Sequence, residues 1–106
     1  MPAKRLKLQI LSPAQAELKE IASVYWRLAG ANSARKITNK IYSALEHLLK
    51  CPALGFICRD EILQARGFRT LVCGEYLCFY RLLEDTIFIY HIVDGRTDYP
   101  RLFKEL

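Results

Sequence analysis

The chain begins with a short alternation of apolar and polar residues. In residues 5–11, RLKLQIL, the apolar Leu6, Leu8 and Ile10 alternate with polar side chains. This is the period of a β-strand that buries one face. We therefore predict a first strand in this segment.

The next segment has the spacing of three and four residues that is typical of an amphipathic helix. Ser12 precedes Pro13 and stands three residues before Gln15, which predicts a capping box with proline at the first helical position. Gly30 favours a left-handed stop at the other end. The apolar stripe of this predicted helix consists of Ala16, Leu18, Ile21, Ala22, Tyr25, Leu28 and Ala29.

A second helix is predicted after a break at residues 30–32, with Ser33 as its N-cap and its end before Pro52. Two helices joined by about three residues must form an antiparallel hairpin. Residues 52–67 have no sustained period and predict a loop with, at most, a short helical turn. The apolar stripe of the second helix consists of Ala34, Ile37, Ile41, Ala44, Leu45 and Leu48.

From Phe68 onward the chain is rich in β-branched and aromatic residues. The runs FRTLVC, YLCFYRLL and TIFIYHIV are separated by Gly74-Glu75 and by Glu84-Asp85. Two-residue breaks between such runs indicate tight hairpins, so we predict an antiparallel meander. The order of elements predicts an α+β fold: an N-terminal strand, and a helix hairpin packed on one face of a four-stranded sheet. We expect residues 1–106 to form one domain.

The predicted meander separates its side chains into two faces. Two-residue loops would place Cys73 opposite Tyr76 and Leu83 opposite Thr86. One face would then carry Arg69, Leu71, Cys73, Tyr76, Cys78, Tyr80, Leu82, Ile87, Ile89, His91 and Val93. The other would carry Phe68, Thr70, Val72, Leu77, Phe79, Arg81, Leu83, Thr86, Phe88, Tyr90 and Ile92. Helices on one side leave an apolar face uncovered, so we expect it to bind a partner.

The length, composition and net charge exclude some classes of protein. The chain has 106 residues, 52% of them hydrophobic, and a formal charge of +5 from 16 basic and 11 acidic residues. These values exclude a disordered chain and a multidomain enzyme. The charge favours an anionic partner or simply confers solubility. The first residues have no signal-peptide core and no membrane span, so we expect a cytoplasmic protein without a membrane partner.

The metal-ligating and nucleophilic residues form no recognisable motif. The two histidines lie far apart and no pair of cysteines has CxxC spacing, so we expect no metal, no cofactor and reduced structural thiols. No phosphate-binding glycine loop, catalytic triad or carboxylate pair is present. The residues in question are His47, His91, Cys51, Cys58, Cys73 and Cys78.

Two groups of polar residues remain as candidates. His91 could join Arg69 and Tyr80 in a polar cluster on one sheet face, or be a hydrogen-bonded core residue. The segment after the last strand carries further candidates, which could be paired surface charges or could bind phosphate and stack on a base. These candidates are Arg96, Asp98, Tyr99 and Arg101.

The C-terminal third has a distinctive order of motifs. The stretch GFRTLVCGEYLCFYRLLEDTIFIYHIVDGRTDYPRLF resembles the RelE/ParE superfamily of toxins from bacterial type II toxin-antitoxin systems. The upstream segment SPAQAELKEIASVYW is similar to the usual opening of that superfamily. The resemblance covers nearly the whole chain.

The resemblance implies a toxin that a cognate antitoxin neutralises by wrapping a tail over it, with operator DNA bound only through the antitoxin. The basic charge and the uncovered apolar face would receive an acidic, amphipathic antitoxin segment. The antitoxin-binding residues would be Leu77, Phe79, Phe88 and Tyr90.

The resemblance leaves the target open between the two branches. RelE-like members cut mRNA on the ribosome, and such an activity would use Arg69, His91, Arg96 and Tyr99. Leu77 stands where an arginine of that branch is expected, and the run YLCFYR is ParE-like, so we favour a ParE-like inhibitor of DNA gyrase. Its target-binding residues would be Arg81, Arg96, Asp98, Tyr99 and Arg101. A further alternative is an inactive toxin that serves only as a co-repressor of its antitoxin.

Overall fold

The computed structural model describes residues 5–103. These residues form five strands, three α-helices and one 3₁₀ helix. None of the described helices is long and apolar enough to cross a membrane. In chain order the elements are β1 (Lys7–Ile10), α1 (Ser12–Ala29), α2 (Ala31–His47), β2 (Phe56–Ile57), α3 (Glu61–Ala65), β3 (Arg69–Cys73), β4 (Tyr76–Leu83), β5 (Thr86–Asp94) and the 3₁₀ helix η1 (Tyr99–Phe103).

The strands form one mixed sheet in the order β1-β5-β4-β3-β2. β1 is parallel to β5, and the other neighbours are antiparallel. The α+β class and the meander are confirmed, and both hairpins have the predicted register, with Cys73 opposite Tyr76 and Leu83 opposite Thr86. The sheet has five strands rather than four, because β2 pairs with β3 from within the predicted loop.

The N-terminus of α1 differs from the predicted capping box. Leu11 is the N-cap and no side chain bonds to the free amides, so Ser12 is the first helical residue. Gln15 instead donates from Nε2 to the Ile10 carbonyl at 2.7 Å. At the other end the prediction is confirmed, because Gly30 has a φ of 90° and ends the helix.

The second helix starts earlier than predicted. α2 begins at Ala31, directly after Gly30, so Ser33 lies inside the helix and caps nothing. The connection between the two helices is therefore a single residue. Three residues of its predicted stripe, Ile41, Leu45 and Leu48, are fully buried. The stripe of α1 ends sooner than expected, because Leu28 is 81% exposed.

The sheet is packed on both faces. One hydrophobic cluster joins the helix hairpin to one face, and a second lies on the opposite face. The second cluster contains a side chain of α3 and one of η1. These two elements cover part of the face that we predicted to be uncovered. Its buried members are Cys58, Leu63, Phe68, Phe79 and Phe103.

A β-bulge in β5 changes the predicted faces. Phe79 pairs with His91, but the next residue, Tyr80, pairs with Ile89, so Tyr90 is an extra residue in β5. Beyond the bulge the alternation of side chains is reversed relative to β4. The predicted faces of His91, Ile92 and Val93 are therefore wrong: Ile92 packs under the helices, and the other two lie on the opposite face.

Candidate functional site

The C-terminal segment packs its aromatic rings on the second face of the sheet. The Phe103 ring lies 4.9 Å from the Phe68 ring and 5.8 Å from the Phe79 ring, both edge to face. Tyr99 lies 4.6 Å from Phe79. Burial raises the pKa of the Tyr99 phenol. Offset and edge contacts of this kind stabilise a fold, so Tyr99 holds η1 against the sheet.

His91 is bound to a carboxylate from α1. Its Nδ1 lies 3.0 Å from Oε2 of Glu17, and Oε1 of the same carboxylate accepts the Ile92 N–H at 3.0 Å. The His91 ring also meets the edge of Phe103 at 5.0 Å. β1 ends at Ile10 and does not reach Ile92. The Glu17 carboxylate therefore accepts the Ile92 N–H in place of the backbone carbonyl that a longer strand would offer. No pattern in the sequence predicts this contact, because the two residues are 74 positions apart.

Arg69 and Tyr80 are cross-strand neighbours, as expected, but they lie on the helix-covered face. Arg69 donates from Nη1 to the Gly55 carbonyl at 2.8 Å. The Tyr80 hydroxyl accepts the Gly55 N–H and donates to the Pro52 carbonyl. The predicted polar cluster with His91 is wrong, because the bulge places His91 on the other face.

Arg81 is enclosed by aromatic rings on the second face. Its Nε donates to the Tyr90 hydroxyl at 2.9 Å, and its Nη1 donates to the Arg66 carbonyl at 3.2 Å. The centre of its guanidinium lies 4.6 Å from the Phe68 ring and 5.1 Å from the Tyr90 ring. The Arg81 guanidinium thus holds together neighbouring strands and the end of α3.

The turn after β5 carries several exposed charged side chains. Arg96 forms a two-point contact with Asp94, with Nε at 3.0 Å and Nη2 at 3.3 Å from the carboxylate oxygens, and its side chain is 93% exposed. Hydrogen bonding to Arg96 lowers the pKa of Asp94. Arg101 pairs with Asp98 at 3.4 Å, and both are exposed. Glu75 joins this turn in a shallow cleft of about 300 Å³.

The four residues expected for an RNA-cleaving site are not brought together. Arg69 is opposite Tyr80 and Asp94 is opposite Tyr76. These positions are four residues apart on β4, or roughly 13 Å along the strand. His91 and Tyr99 share the aromatic cluster with Phe103, whereas Arg69 lies across the sheet from them.

The expected antitoxin-binding residues differ in exposure. Phe79 is fully buried in the second cluster, where the rings of Tyr99 and Phe103 pack against it. Leu77, Phe88 and Tyr90 are half-buried. Val72, opposite Leu77, is 54% exposed. The accessible part of the second face therefore lies at its rim, which includes Leu77, Phe88 and Tyr90.

The four cysteines are free thiols in the described structure, with only Cys51 exposed. Burial is the main reason that the pKa of Cys78 rises to about 12. Between residues 5 and 103, no three His, Cys, Asp or Glu side chains are arranged to hold a metal ion. A structural role agrees with the expectation for the three buried cysteines.

Comparison with known proteins places this geometry in a family. The model of the ParE toxin of the type II toxin-antitoxin system parDE matches residues 8–99. A chain of the chromosomal ParDE toxin-antitoxin system from P. aeruginosa has a similar fold, with a TM-score of 0.75 and 22% identity over 87% of this chain and 98% of that one.

A chain of the RelBE2 toxin-antitoxin complex from Mycobacterium tuberculosis is also similar. Its TM-score is 0.64 at 17% identity, over 85% of this chain and 98% of that one. No curated protein sequence matches this chain. The family match covers most of the length, and both structural neighbours have the same fold. The chain therefore belongs to the ParE toxin family, within the RelE/ParE superfamily of type II toxin-antitoxin toxins.

Proposed function

We propose that this toxin inhibits DNA gyrase through surface contacts and does not cleave mRNA. The observation that carries the proposal is the separation of Arg69 from His91 by the sheet, with the Arg69 guanidinium bound to the Gly55 carbonyl. The match to the ParE family supports the same branch.

The chemistry of RNA cleavage explains why this separation matters. Attack by a ribose 2′-hydroxyl needs a general base, a general acid and positive charge at the scissile phosphate within reach of one another. His91 is bound to Glu17 and packed against Phe103, with a side chain only 14% exposed. The exposed Arg96 lies in the turn after Asp94, which is opposite Tyr76 and therefore four residues along β4 from Tyr80, the residue opposite Arg69. No base, acid and cation converge among these residues.

The proposed contacts with gyrase come from the turn after β5. Arg96, Asp98 and Arg101 are exposed and make only local ion pairs, which a partner can replace at little cost. Arg81 and Tyr99 are instead held in aromatic contacts, so we expect them to support target binding by stabilising the fold. The exposed charges of Arg96, Asp98 and Arg101 would set the rate and specificity of association with gyrase.

The proposed partner in the resting cell is a cognate antitoxin. Its tail would cover the half-buried rim of the second face, which includes Leu77, Phe88 and Tyr90. The formal charge of +5 suits an acidic tail. Operator DNA would be bound through the antitoxin.

The test is induction of the toxin alone in a bacterium, followed by primer extension on mRNA and by supercoiling of a reporter plasmid. Arg96→Ala is the variant, and Arg27→Ala, an exposed residue of α1, is the matched control. We expect intact mRNA, blocked supercoiling and relief of growth arrest by Arg96→Ala alone. Cuts at fixed codon positions would instead identify a ribosome-dependent ribonuclease. A harmless wild-type chain would identify a co-repressor without toxin activity.

A further inference from the structure

β2 leaves backbone hydrogen-bonding groups at one edge of the sheet. It is the terminal strand, and it pairs with β3 through Phe56 opposite Thr70 and Ile57 opposite Arg69. The Cys58 N–H donates to the Phe68 carbonyl. Because bonded and non-bonded pairs alternate in an antiparallel ladder, the N–H and C=O of Ile57 point away from β3. In the described part of the chain no strand lies on that side.

The same edge is apolar to an unusual extent. Leu54, Phe56 and Ile57 are each 51% exposed, and Ile62 at the start of α3 is 66% exposed. Single exposed apolar residues are ordinary, but four of them on and beside a free strand edge favour pairing with another chain. Proteins commonly protect such an edge, so we expect a partner to cover this one.

Basic side chains flank this apolar group. Arg59 lies two residues after the end of β2 and is exposed. Arg69 lines a cleft of about 310 Å³ with Ile57 and a second of about 320 Å³ with Leu82. Residues 54–69 contain three arginines, Arg59, Arg66 and Arg69, and two carboxylates, Asp60 and Glu61, of which Asp60 caps α3 through the Leu63 N–H. The arginines therefore leave an excess of positive charge around the edge.

We propose that the β2 edge, formed by Leu54, Phe56, Ile57, Arg59 and Arg69, binds an extended antitoxin segment in which apolar and acidic residues alternate. Strand addition satisfies the outward backbone groups, alternate side chains fill the apolar surface, and the acidic ones meet the arginines. The inference rests on the proposed neutralisation by an antitoxin and adds a second contact, separate from the rim of the second face.

Other occupants fit this edge less well. A second copy of the chain paired through the same edge would bring the arginines of both copies together, and like charges oppose such a contact. A nucleic acid would pair with the arginines but would leave the apolar side chains and the strand edge unsatisfied. An acidic extended peptide satisfies all three features.

The first test changes the backbone of Ile57 and uses the antitoxin encoded beside this toxin. Ile57→Pro removes the outward N–H, which β3 does not use, whereas Ile57→Ala keeps it. We expect Ile57→Pro to weaken antitoxin binding about tenfold and Ile57→Ala to weaken it less. Equal effects of the two substitutions would overturn strand addition. Thermal unfolding of both variants establishes that they fold.

The second test does not depend on tolerance of proline. Arg59→Glu should weaken antitoxin binding about tenfold, and Arg35→Glu on α2, with the same change of charge, should not. Hydrogen exchange of the wild-type complex should slow in the peptide that contains Ile57. Unchanged exchange there, or equal binding by both charge variants, would overturn the inference while leaving the gyrase activity intact.

Two further outcomes separate this inference from its premises. If the wild-type toxin fails to bind the antitoxin at all, the proposed neutralisation fails and the inference fails with it. If the free toxin is a dimer that Ile57→Pro converts to a monomer, the edge belongs to self-association and the inference is overturned.

Discussion

The Tyr80 hydroxyl accepts a buried hydrogen bond of 2.9 Å from the Gly55 N–H, which ties the segment before β2 to the centre of the sheet. The same hydroxyl donates to the Pro52 carbonyl at 2.7 Å. A Cβ at Gly55 would lie 2.6 Å from the Thr70 carbonyl oxygen, so glycine is required for this approach. The position of β2, and therefore its exposed edge, depends on this contact.

Tyr80→Phe removes the hydroxyl and leaves the Gly55 N–H and the Pro52 carbonyl without their partner. Since unpaired buried polar groups are costly, we expect the free energy of unfolding to fall by about 1–3 kcal/mol. Urea denaturation measures the change. Tyr42→Phe, at a residue that is 41% exposed, is the matched control and should change stability by less than about 0.5 kcal/mol. Equal stability of the two variants would contradict a structural role for the Tyr80 hydroxyl.

The Glu17 carboxylate connects α1 to the part of β5 that extends beyond β1. Glu17→Ala leaves the Ile92 N–H and Nδ1 of His91 without an acceptor. We expect a loss of about 1–3 kcal/mol in the free energy of unfolding, and a smaller loss for Glu17→Gln, which keeps an oxygen acceptor. Urea denaturation again provides the measurement.

Glu20→Ala is the control for this experiment, because Glu20 lies on the same helix with a side chain that is 74% exposed. We expect it to change stability by less than about 0.5 kcal/mol. If Glu17→Ala were as mild as Glu20→Ala, the contact of the carboxylate with β5 would contribute nothing measurable to the fold.

Much of the fold follows from local patterns, and the exceptions have non-local causes. The hairpin registers were predictable because two-residue breaks fix which residues face each other. β2 was not predictable, because a strand of two residues has no detectable period. Its position depends instead on the bond from the Gly55 N–H to the Tyr80 hydroxyl, between residues 25 positions apart. The bulge at Tyr90 could not be predicted from the sequence either. The run TIFIYHIV is apolar on both faces, so alternation carries no register signal.

The candidate site was predictable only in part, for related reasons. The exposure of Arg96 and Arg101 follows from their place after the last strand. The predicted faces put Phe68, Arg81 and Tyr90 on one side of the sheet, but the bond from Arg81 to the Arg66 carbonyl at the end of α3 was not predictable, because no pattern in the sequence reports where α3 ends relative to β4. The role of Glu17 depends on where β1 ends relative to β5. No spacing within α1 reports that relation.

Arg81 and Arg96 should respond differently to replacement by lysine. Lysine at position 81 cannot stack on both rings while bonding to the Tyr90 hydroxyl and the Arg66 carbonyl, so we expect a loss of about 1 kcal/mol in the free energy of unfolding. The Arg96 side chain is exposed, so Arg96→Lys should leave the free energy of unfolding unchanged. Under the proposed function, Arg96→Lys nevertheless weakens growth arrest.

Unfolding measurements and growth assays on the same two variants distinguish folding from target binding. Loss of growth arrest in Arg81→Lys should follow its loss of folded protein, whereas the loss in Arg96→Lys should occur at full stability. A destabilised Arg96→Lys, or full toxicity of that variant, would contradict its assignment as a target contact.

Cys78 makes the stability of the fold sensitive to alkaline pH. Burial raises its pKa from 9.0 to about 12, so in this window only the unfolded chain forms the thiolate. Unfolding then releases a proton, and the stabilising contribution is present below about pH 9 and is lost as the pH rises towards about 12. We expect the free energy of unfolding to fall between about pH 8 and about pH 10 under reducing conditions, by less in Cys78→Ala than in the wild type.

Cys51→Ala is the control, because the thiol of Cys51 is exposed in the native chain. Its loss of stability between the two pH values should equal that of the wild type. The buried phenol of Tyr80 also has a raised pKa, and it contributes equally to all three proteins. The void left by Cys78→Ala lowers stability by the same amount at both pH values, so the difference between them isolates the thiol. An unchanged difference in Cys78→Ala would mean that the Cys78 thiol ionises equally in the folded and unfolded chains.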